Sequence, residues 1–377
     1  MQKKILMAFD WYDVGLHAGV AAYARERNWN LNTHMARTRQ FPLGWDGDGV
    51  VGLISEAETL EFVRSLGVPV VDMGGHFSDF PQVLADHFRV GAMAAEHFVE
   101  RNFRNFVFFQ VQNSRLEREI FRGFEATLEA AGHACTTRRW NPTANEQQIR
   151  YSEVTRWLAE SLAELPRPLA VFCQNDDTAA VIMNTIIDEG NTIPDEIALL
   201  GAGNSELICN YLPVRLSSIG SNLRGHGYAA AEQLGRLLDG ESPPVVPVRI
   251  EPGSVHLRES TDFLAVENPH VARVLREIWD RYDEQLTVDY LQSLVPVSRS
   301  GLYDAFIDEV GRPMGKELAR VRIRKAKEML GNTDRSVGEI ARLCGFNSPI
   351  NFSRAFSQQV KVSPLRYRQS VQERSAA

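Results

Sequence analysis

The residues best placed to do chemistry lie near the end of the chain. Ile350, Asn351 and Arg354 fall on one face of a predicted helix, and Phe352 and Phe356, at i and i+4, fall on the other. Apolar anchors beneath short polar and guanidinium groups suit a helix that enters the DNA major groove and reads base edges. Upstream, residues 314–330 carry Lys316, Arg320, Arg322, Arg324, Lys325 and Lys327, side chains that match phosphate oxygens. Catalytic chemistry finds no such footing. There is no GxSxG, phosphate loop, GxGxxG or HExxH, and the nine histidines form no HxH or HxxxH pair. Asp176 and Asp177 alone are thin support for acid–base work. Cys135, Cys173, Cys209 and Cys344 include no CxxC, so they read as buried free thiols of a reducing compartment. A non-enzyme with no metal and no cofactor is expected.

Two helix-turn-helix units position these groups. In the second, spanning about 336–359, Ser336 caps a short helix whose Val337, Ile340 and Ala341 face inward, and Gly345 makes the sharp turn. Phe346 plugs that turn. Asn347 or Ser348 then caps the next helix, with Pro349 in its first turn. The first unit, about 287–310, runs to a turn at Pro296 and Val297, after which Ser298 caps a helix burying Leu302 and Phe306. The basic segment between the units forms a helix able to hold two reading heads at a fixed separation.

Bulk composition points the other way until it is divided. The 377 residues are 44% hydrophobic and 24% charged with a net charge of −7, which describes folded protein and argues against a polyanion binder. Residues 269–377, however, hold 18 basic and 13 acidic groups, a net of +5. That leaves 23 of the 41 basic and 35 of the 48 acidic residues, a net of −12, for the first 268. Within the tail, 312–377 carries +9 and 269–311 carries −4. A basic helical module joined to an acidic one is expected to meet nucleic acid.

The acidic part alternates apolar runs with helical patterns: 5–9, 49–54, 69–73, 105–110, 169–173 and 197–201 as strands, with helices between them. Strands apolar throughout require a parallel sheet covered on both faces, so a doubly wound α/β architecture is expected, split into two lobes by its length. The predicted organisation is a sensor over 1–256, a linker over 257–268 and a DNA-binding domain over 269–377. The apolar run at 5–9 is too short for a signal peptide, and no stretch reaches membrane length, so a cytoplasmic protein is expected.

The ordered positions Ser298, Leu302, Phe306 and Gly311, then Ala326, Leu330, Ile340, Ala341, Gly345 and Phe346, continue through Phe352, Arg354, Phe356, Pro364 and Arg368. Over about 90 residues they resemble the DNA-binding domain of the AraC/XylS family. The resemblance implies contacts to double-stranded DNA from Arg299, Ser300 and Tyr303 in the first unit. In the second it implies Ser348, Pro349, Ile350, Asn351 and Arg354, with Arg320 and Arg324 on the linking helix. Asp304 departs from the family, where a basic residue is common, and Asp308 and Glu309 lie nearby. The second unit and the linking helix are therefore expected to supply most of the phosphate affinity.

The segments DGDGVVGLI (46–54), GVPVVDMGG (67–75), FRGFEATLEAAG (121–132), FCQNDDTAAVIMN (172–184) and IPDEIALLGAGN (193–204) resemble, in order, the LacI-family sensor, which has the type I periplasmic-binding-protein-like fold. Joined to the AraC-type module through RESTDF (258–263), they resemble regulators of sugar operons. What this implies is a sugar such as xylose in the interlobe cleft of a homodimer that activates a carbohydrate operon through RNA polymerase. Ligand residues carried over are Asp10, Trp11, Tyr12, Arg115, Arg118, Asn175 and Asp176, with Asn204 and Ser221 at departures from the pattern. Gly203 stands where the family has an acid, and Ser221 where it often has a longer polar side chain. Plainer roles are open for five of them: Trp11 and Tyr12 as cover for the core edge, Arg115 and Arg118 as a solvated helix start, Asp176 as a helix N-cap. A sugar-binding protein without regulatory function, or a regulator answering a non-sugar molecule, is the alternative.

Overall fold

Successive side chains of the first strand, β1 (Lys4–Phe9), point to opposite faces. Ile5, Met7 and Phe9 enter one apolar layer, and Leu6 and Ala8 enter another. Both faces being covered, the strand can be apolar throughout. The computed structural model describes residues 2–111, 114–140, 151–263, 265–266, 268–333 and 335–369. They form two compact units, Met1–Phe263 and Leu264–Ala377.

In the first unit the chain continues through α1 (Val14–Glu26), β2 (Asn30–Asn32), α2 (His34–Thr38), β3 (Gly49–Leu53), α3 (Ala57–Ser65), β4 (Val70–Asp72) and β5 (Val83–Ala85). It then enters a second lobe: α4 (His87–Val99), β6 (Asn105–Gln110), α5 (Arg115–Ala130), β7 (Cys135–Arg139), α6 (Tyr151–Ala163), β8 (Leu169–Phe172), α7 (Asp176–Asp188), β9 (Ile197–Gly203), α8 (Glu206–Cys209) and β10 (Ser217–Gly220). It returns to the first lobe as α9 (Leu223–Leu238) and β11 (Val248–Ile250), and crosses once more into β12 (Val255–His256) and a 3₁₀ turn, Glu259–Thr261.

The first lobe has the parallel order β2-β1-β3-β4, and an Asp72–Gln82 bridge continues it toward β5, which pairs with β11. Helices α1 and α9 cover one face through Leu16, Val20, Ala231 and Leu234, and α2 and α3 cover the other through Met35, Leu60 and Val63. The second lobe has the order β12-β10-β9-β8-β6-β7, parallel except for β12. Helices α6 and α7 pack on Val107, Phe109 and Val171, and Phe108, Phe124 and Phe172 cluster on the opposite face. The expected two-lobed, doubly wound α/β sensor is what the chain builds. The strand series does not close at 201 as the apolar runs imply, because β10, β11 and β12 follow.

Three crossings join the lobes, and backbone bonds lace them together. Asp86 N–H donates to Ile250 O at 2.9 Å, and Gly253 N–H donates to Gly220 O at 2.7 Å. The Asn222 side chain donates to Glu251 O at 3.3 Å. The segment 257–263, read from sequence as part of a linker, belongs to the sensor. Ser260 and Thr261 are fully buried, and Ser260 Oγ accepts from Ser217 N–H at 2.8 Å and donates to Leu199 O at 2.6 Å. An aperiodic polar sequence looks like a loop, but here its hydroxyls complete the edge of a sheet.

The second unit is helical: α10 (Pro269–Asp280), α11 (Val288–Ser293), α12 (Arg299–Val310), α13 (Met314–Asn332), α14 (Val337–Leu343) and α15 (Pro349–Val360). It holds two apolar clusters. One joins α10, α11 and α12 to Met314, Leu318 and Val321; the other joins α14 and α15 to Ile323, Ala326 and Leu330. At about 100° per residue these two stripes of α13 lie roughly 150° apart. One helix therefore carries a helix-turn-helix unit on each of two opposed faces.

Candidate functional site

The second helix of each helix-turn-helix unit is held by a cap and two buried side chains. Ser298 Oγ accepts from Gly301 N–H at 3.2 Å to start α12, and Leu302 and Phe306 are buried beneath it. Ser348 Oγ accepts from Asn351 N–H at 3.2 Å to start α15, Pro349 occupies the first turn, and Phe352 and Phe356 are fully buried. Ser336 and Glu339 close a capping box on α14. What remains outward is the predicted reading surface. Ser300, Asn351 and Arg354 are exposed, Tyr303 is 44% and Ile350 72% exposed. Arg299 is exposed too, 3.2 Å from Asp289 across a solvated ion pair.

The linking helix is less available than its charge implies. Arg320 makes a bidentate contact with Glu317, at 2.8 and 2.6 Å, and Arg312 lies 3.5 Å from the same fully buried carboxylate. Burial alone would raise the Glu317 carboxyl, but these guanidinium groups hold it below the usual range. A buried carboxylate requires its cation, so Arg320 braces Glu317. Arg322 is also turned inward, toward backbone carbonyls. Arg324 is half-buried.

In the sensor, the carried-over ligand residues separate into two groups. Asp10 is 5% exposed, and its carboxylate accepts from Ser55 N–H at 2.6 Å, Glu56 N–H at 2.9 Å and the hydroxyls of Ser55 and Thr59. It braces the start of α3 from the end of β1, with both oxygens accepting hydrogen bonds from protein. Asp176 is 2% exposed, accepting from Ser218 Oγ at 2.6 Å and from Ser205 N–H at 2.7 Å. It ties α7 to the ends of β9 and β10. Burial raises its carboxyl above the ordinary carboxylate range, against the opposing effect of those bonds. Asn175, not Asp176, is the N-cap of α7, accepting from Thr178 N–H at 2.7 Å. Its partly exposed amide keeps its NH₂.

The remaining candidates stand at the lobe edges. Trp11 is 50% and Tyr12 38% exposed. Tyr12 Oη lies 3.0 Å from His17 Nδ1, with the Arg37 guanidinium 4.7 Å over its ring. Arg115 and Arg118 project from the first turn of α5, and Arg115 Nη1 donates to Gly75 O across the lobes. Asp72 shapes that acceptor loop by accepting from Gly74 and Gly75 N–H, each at 2.9 Å. Ser221 is exposed in the middle crossing. Asn204, at φ +55°, accepts through Oδ1 from Arg258 Nη2 at 2.8 Å. Gly203 has φ +118°, a conformation that L side chains rarely adopt, and a Cβ there would lie 3.3 Å from Asp176 Oδ2, so the acid of the family pattern would be strained here.

Two residues escaped the sequence reading. Gln174 is 5% exposed beside Asn175, and its Oε1 has no protein partner among the described residues. Arg258 binds Asn204, Asn210 Oδ1 and Leu216 O, each at 2.8 Å. Only its place in RESTDF pointed to it. Among the described residues no group of three His, Cys, Asp or Glu side chains could hold a metal, and no helix is long and apolar enough to cross a membrane. Burial pushes the thiols of Cys135 and Cys209 up to about 12 and that of Cys173 higher, away from nucleophilic thiolate.

Residues 95–261 match the periplasmic binding protein-like domain, and residues 293–370 match a helix-turn-helix domain. The chain is therefore a DNA-binding transcription regulator in which a periplasmic-binding-protein-like sensor precedes an AraC-type helix-turn-helix module. It is homologous to the xylose operon regulatory proteins. That of Escherichia coli is 26% identical over 371 residues, 95% of this chain and 94% of that protein. That of Haemophilus influenzae is 25% identical, covering 85% and 84%. The fold agrees with the solved structure of the xylose-binding transcription activator xylR, with TM-score 0.64, 24% identity and 98% of each chain covered. A LacI-family regulator from Enterococcus faecium with bound ribose matches the sensor alone, with TM-score 0.52, 18% identity and 70% of this chain covered.

Proposed function

We propose that the chain senses a sugar, xylose or a related one, between the lobes of its sensor, and that the bound sugar changes its hold on a double-stranded DNA operator. One observation carries this reading: similarity to xylose operon regulatory proteins runs along 95% of the chain, through sensor, junction and DNA-binding unit together. The exposed rings of Trp11 and Tyr12 suit the apolar faces of a sugar. Arg115, Arg118, the Asn175 amide and Ser221 offer hydrogen bonds to its hydroxyls. Asp10 and Asp176 shape the pocket walls without touching the ligand. The reading includes a cytoplasmic, non-enzymatic homodimer that activates a carbohydrate operon through RNA polymerase.

Ligand closure acts by differential affinity for two arrangements of the sensor. Asn204 belongs to the ligand side of the second lobe, and its partner Arg258 begins the segment that leads into the DNA-binding unit. The decisive experiment combines thermal-shift screening of the full chain against pentoses, hexoses and non-sugar metabolites with footprinting on DNA selected by the chain itself. A sugar that both raises the melting temperature and alters the footprint is the expected result. Identical footprints with and without every sugar would refute the proposal, and a shift from a non-sugar alone would favour the other effector class.

A further inference from the structure

The six basic side chains of α13 look alike in sequence, but Arg322 does something different from binding phosphate. It sits between Val321, the last α13 residue of the first apolar cluster, and Ile323, the first of the second. Its Nε donates to Tyr282 O at 2.7 Å and its Nη2 to Glu284 O at 2.6 Å, both in the loop between α10 and α11. Its guanidinium carbon lies 5.7 Å from the ring centroid of Phe346, in the turn between α14 and α15. One side chain thus touches the loop of the first unit and the turn of the second.

A second contact runs alongside. Gln285 Nε2 donates to Gly345 O at 3.3 Å. Gly345 has φ +73°, and a Cβ there would come within 2.6 Å of Tyr282 O, so the turn of the second unit rests directly on the loop of the first. Each unit has its own apolar cluster, and α13 contributes side chains to both.

We propose that Arg322 is a positioning residue for DNA recognition: its planar fork pins the 282–284 loop to the Gly345–Phe346 turn and so fixes the separation of the two reading helices. The chemistry requires a guanidinium, since two carbonyls on one loop and a ring on another need a rigid planar fork that an ammonium lacks. The inference rests on DNA binding by both units. Two heads held rigidly bind one duplex with an effective-concentration advantage, which is lost when their separation drifts.

The test uses the full chain and a duplex that the wild-type chain selects from a random pool. Affinity is measured on that duplex and on versions with one base pair inserted between the two contacted segments, over a series of salt concentrations. For the wild type, insertion is expected to weaken binding at least about tenfold. Arg322→Ala and Arg322→Lys should both weaken binding to the selected duplex by about that factor, reduce the insertion penalty to under about twofold, and leave the salt slope unchanged. A drop of about one in the salt slope with the insertion penalty intact would show a phosphate contact and overturn the proposal. Full rescue by Arg322→Lys would overturn it as well, by making charge rather than shape the requirement. Circular dichroism melting checks folding. If Arg322→Ala melts the unit, Arg322→Gln, which keeps one donor for the loop, replaces it in the same assay with the same expected and refuting results. Failure of the selection itself would instead count against DNA binding.

Discussion

Replacing Asp176 with alanine distinguishes two roles that the sequence leaves equivalent. As a ligand carboxylate, Asp176 would be dispensable for folding. In the structure it is 2% exposed and holds Ser218 Oγ at 2.6 Å and Ser205 N–H at 2.7 Å. Hydrogen bonds to a charged group contribute about 1.5–3 kcal/mol each. Ser205 is exposed and can recruit water, whereas Ser218 is fully buried and keeps Asn204 N–H, at 3.0 Å, and the Cys209 thiol as partners. Relief of the buried charge offsets part of the loss, so a net cost of about 2 kcal/mol is expected. For a unit of this size, that corresponds to about 4–8 °C in melting temperature.

The assay is calorimetry of the full chain without sugar, with the transitions of the sensor and the DNA-binding unit followed separately. The sensor transition should fall in Asp176→Ala, and the other should stay. Asp176→Asn keeps the shape and one acceptor, so it should lie close to wild type. The pH dependence carries a sign. Because the folded carboxyl is raised above its unfolded value near 3.9, its favourable contribution is complete below about pH 4. That contribution is lost as pH rises through the folded value, so the wild type should lose stability relative to Asp176→Asn over that range. An unchanged melting temperature in Asp176→Ala, together with loss of every sugar-induced shift, would refute the structural role and restore Asp176 as a ligand.

Two further outcomes are expected. His97 is buried, within 2.9 Å of Thr261 Oγ1, and desolvation followed by the Arg101 charge holds its imidazole well below the ordinary value near 6.5. Its contribution is present above about pH 6.5 and lost as pH falls toward the folded value. The sensor melting temperature of the wild type should therefore drop relative to His97→Gln on acidification, and parallel pH profiles would contradict this. Arg258→Ala removes three hydrogen bonds at the sensor exit and should leave sugar-induced thermal shifts in place. It should bring the sugar-dependent change in operator affinity, of the order of 5–150-fold for typical allosteric coupling, close to one. Undiminished coupling in gel-shift titrations would rule out this route.

Much of the fold was legible because it depends on a residue's own neighbours in sequence. The apolar runs of β1, β3, β6 and β8 announced covered parallel strands. Ser298, Ser336 and Ser348 announced helix starts, and Phe352 and Phe356 announced the buried face of α15. Two polar strands were not legible: the edge strand β7 reads CTTRR, β10 beside the edge reads SSIG, and neither shows an apolar run or alternation. Their hydrogen bonds come from strands distant in sequence, such as Phe106 beside Cys135 and Leu200 beside Ser217. The sensor boundary shifted to 263 for the same reason, since Ser260 and Thr261 are buried only because β9, β10 and His97 supply partners.

The sequence by itself determined the two-unit plan, the charge division between −12 and +5, and the outward reading face of Ile350, Asn351 and Arg354. Each follows from composition or helical period, quantities local to the chain. Tertiary structure alone decided which polar groups face outward. It gave Asp10 and Asp176 internal donors, and it gave Arg320 a buried carboxylate and Arg322 backbone carbonyls as partners. The physical reason is that a buried donor or acceptor must be satisfied, and its partner may come from anywhere the fold brings close. Side-chain type announces what a group can bind; only packing determines what it has already bound.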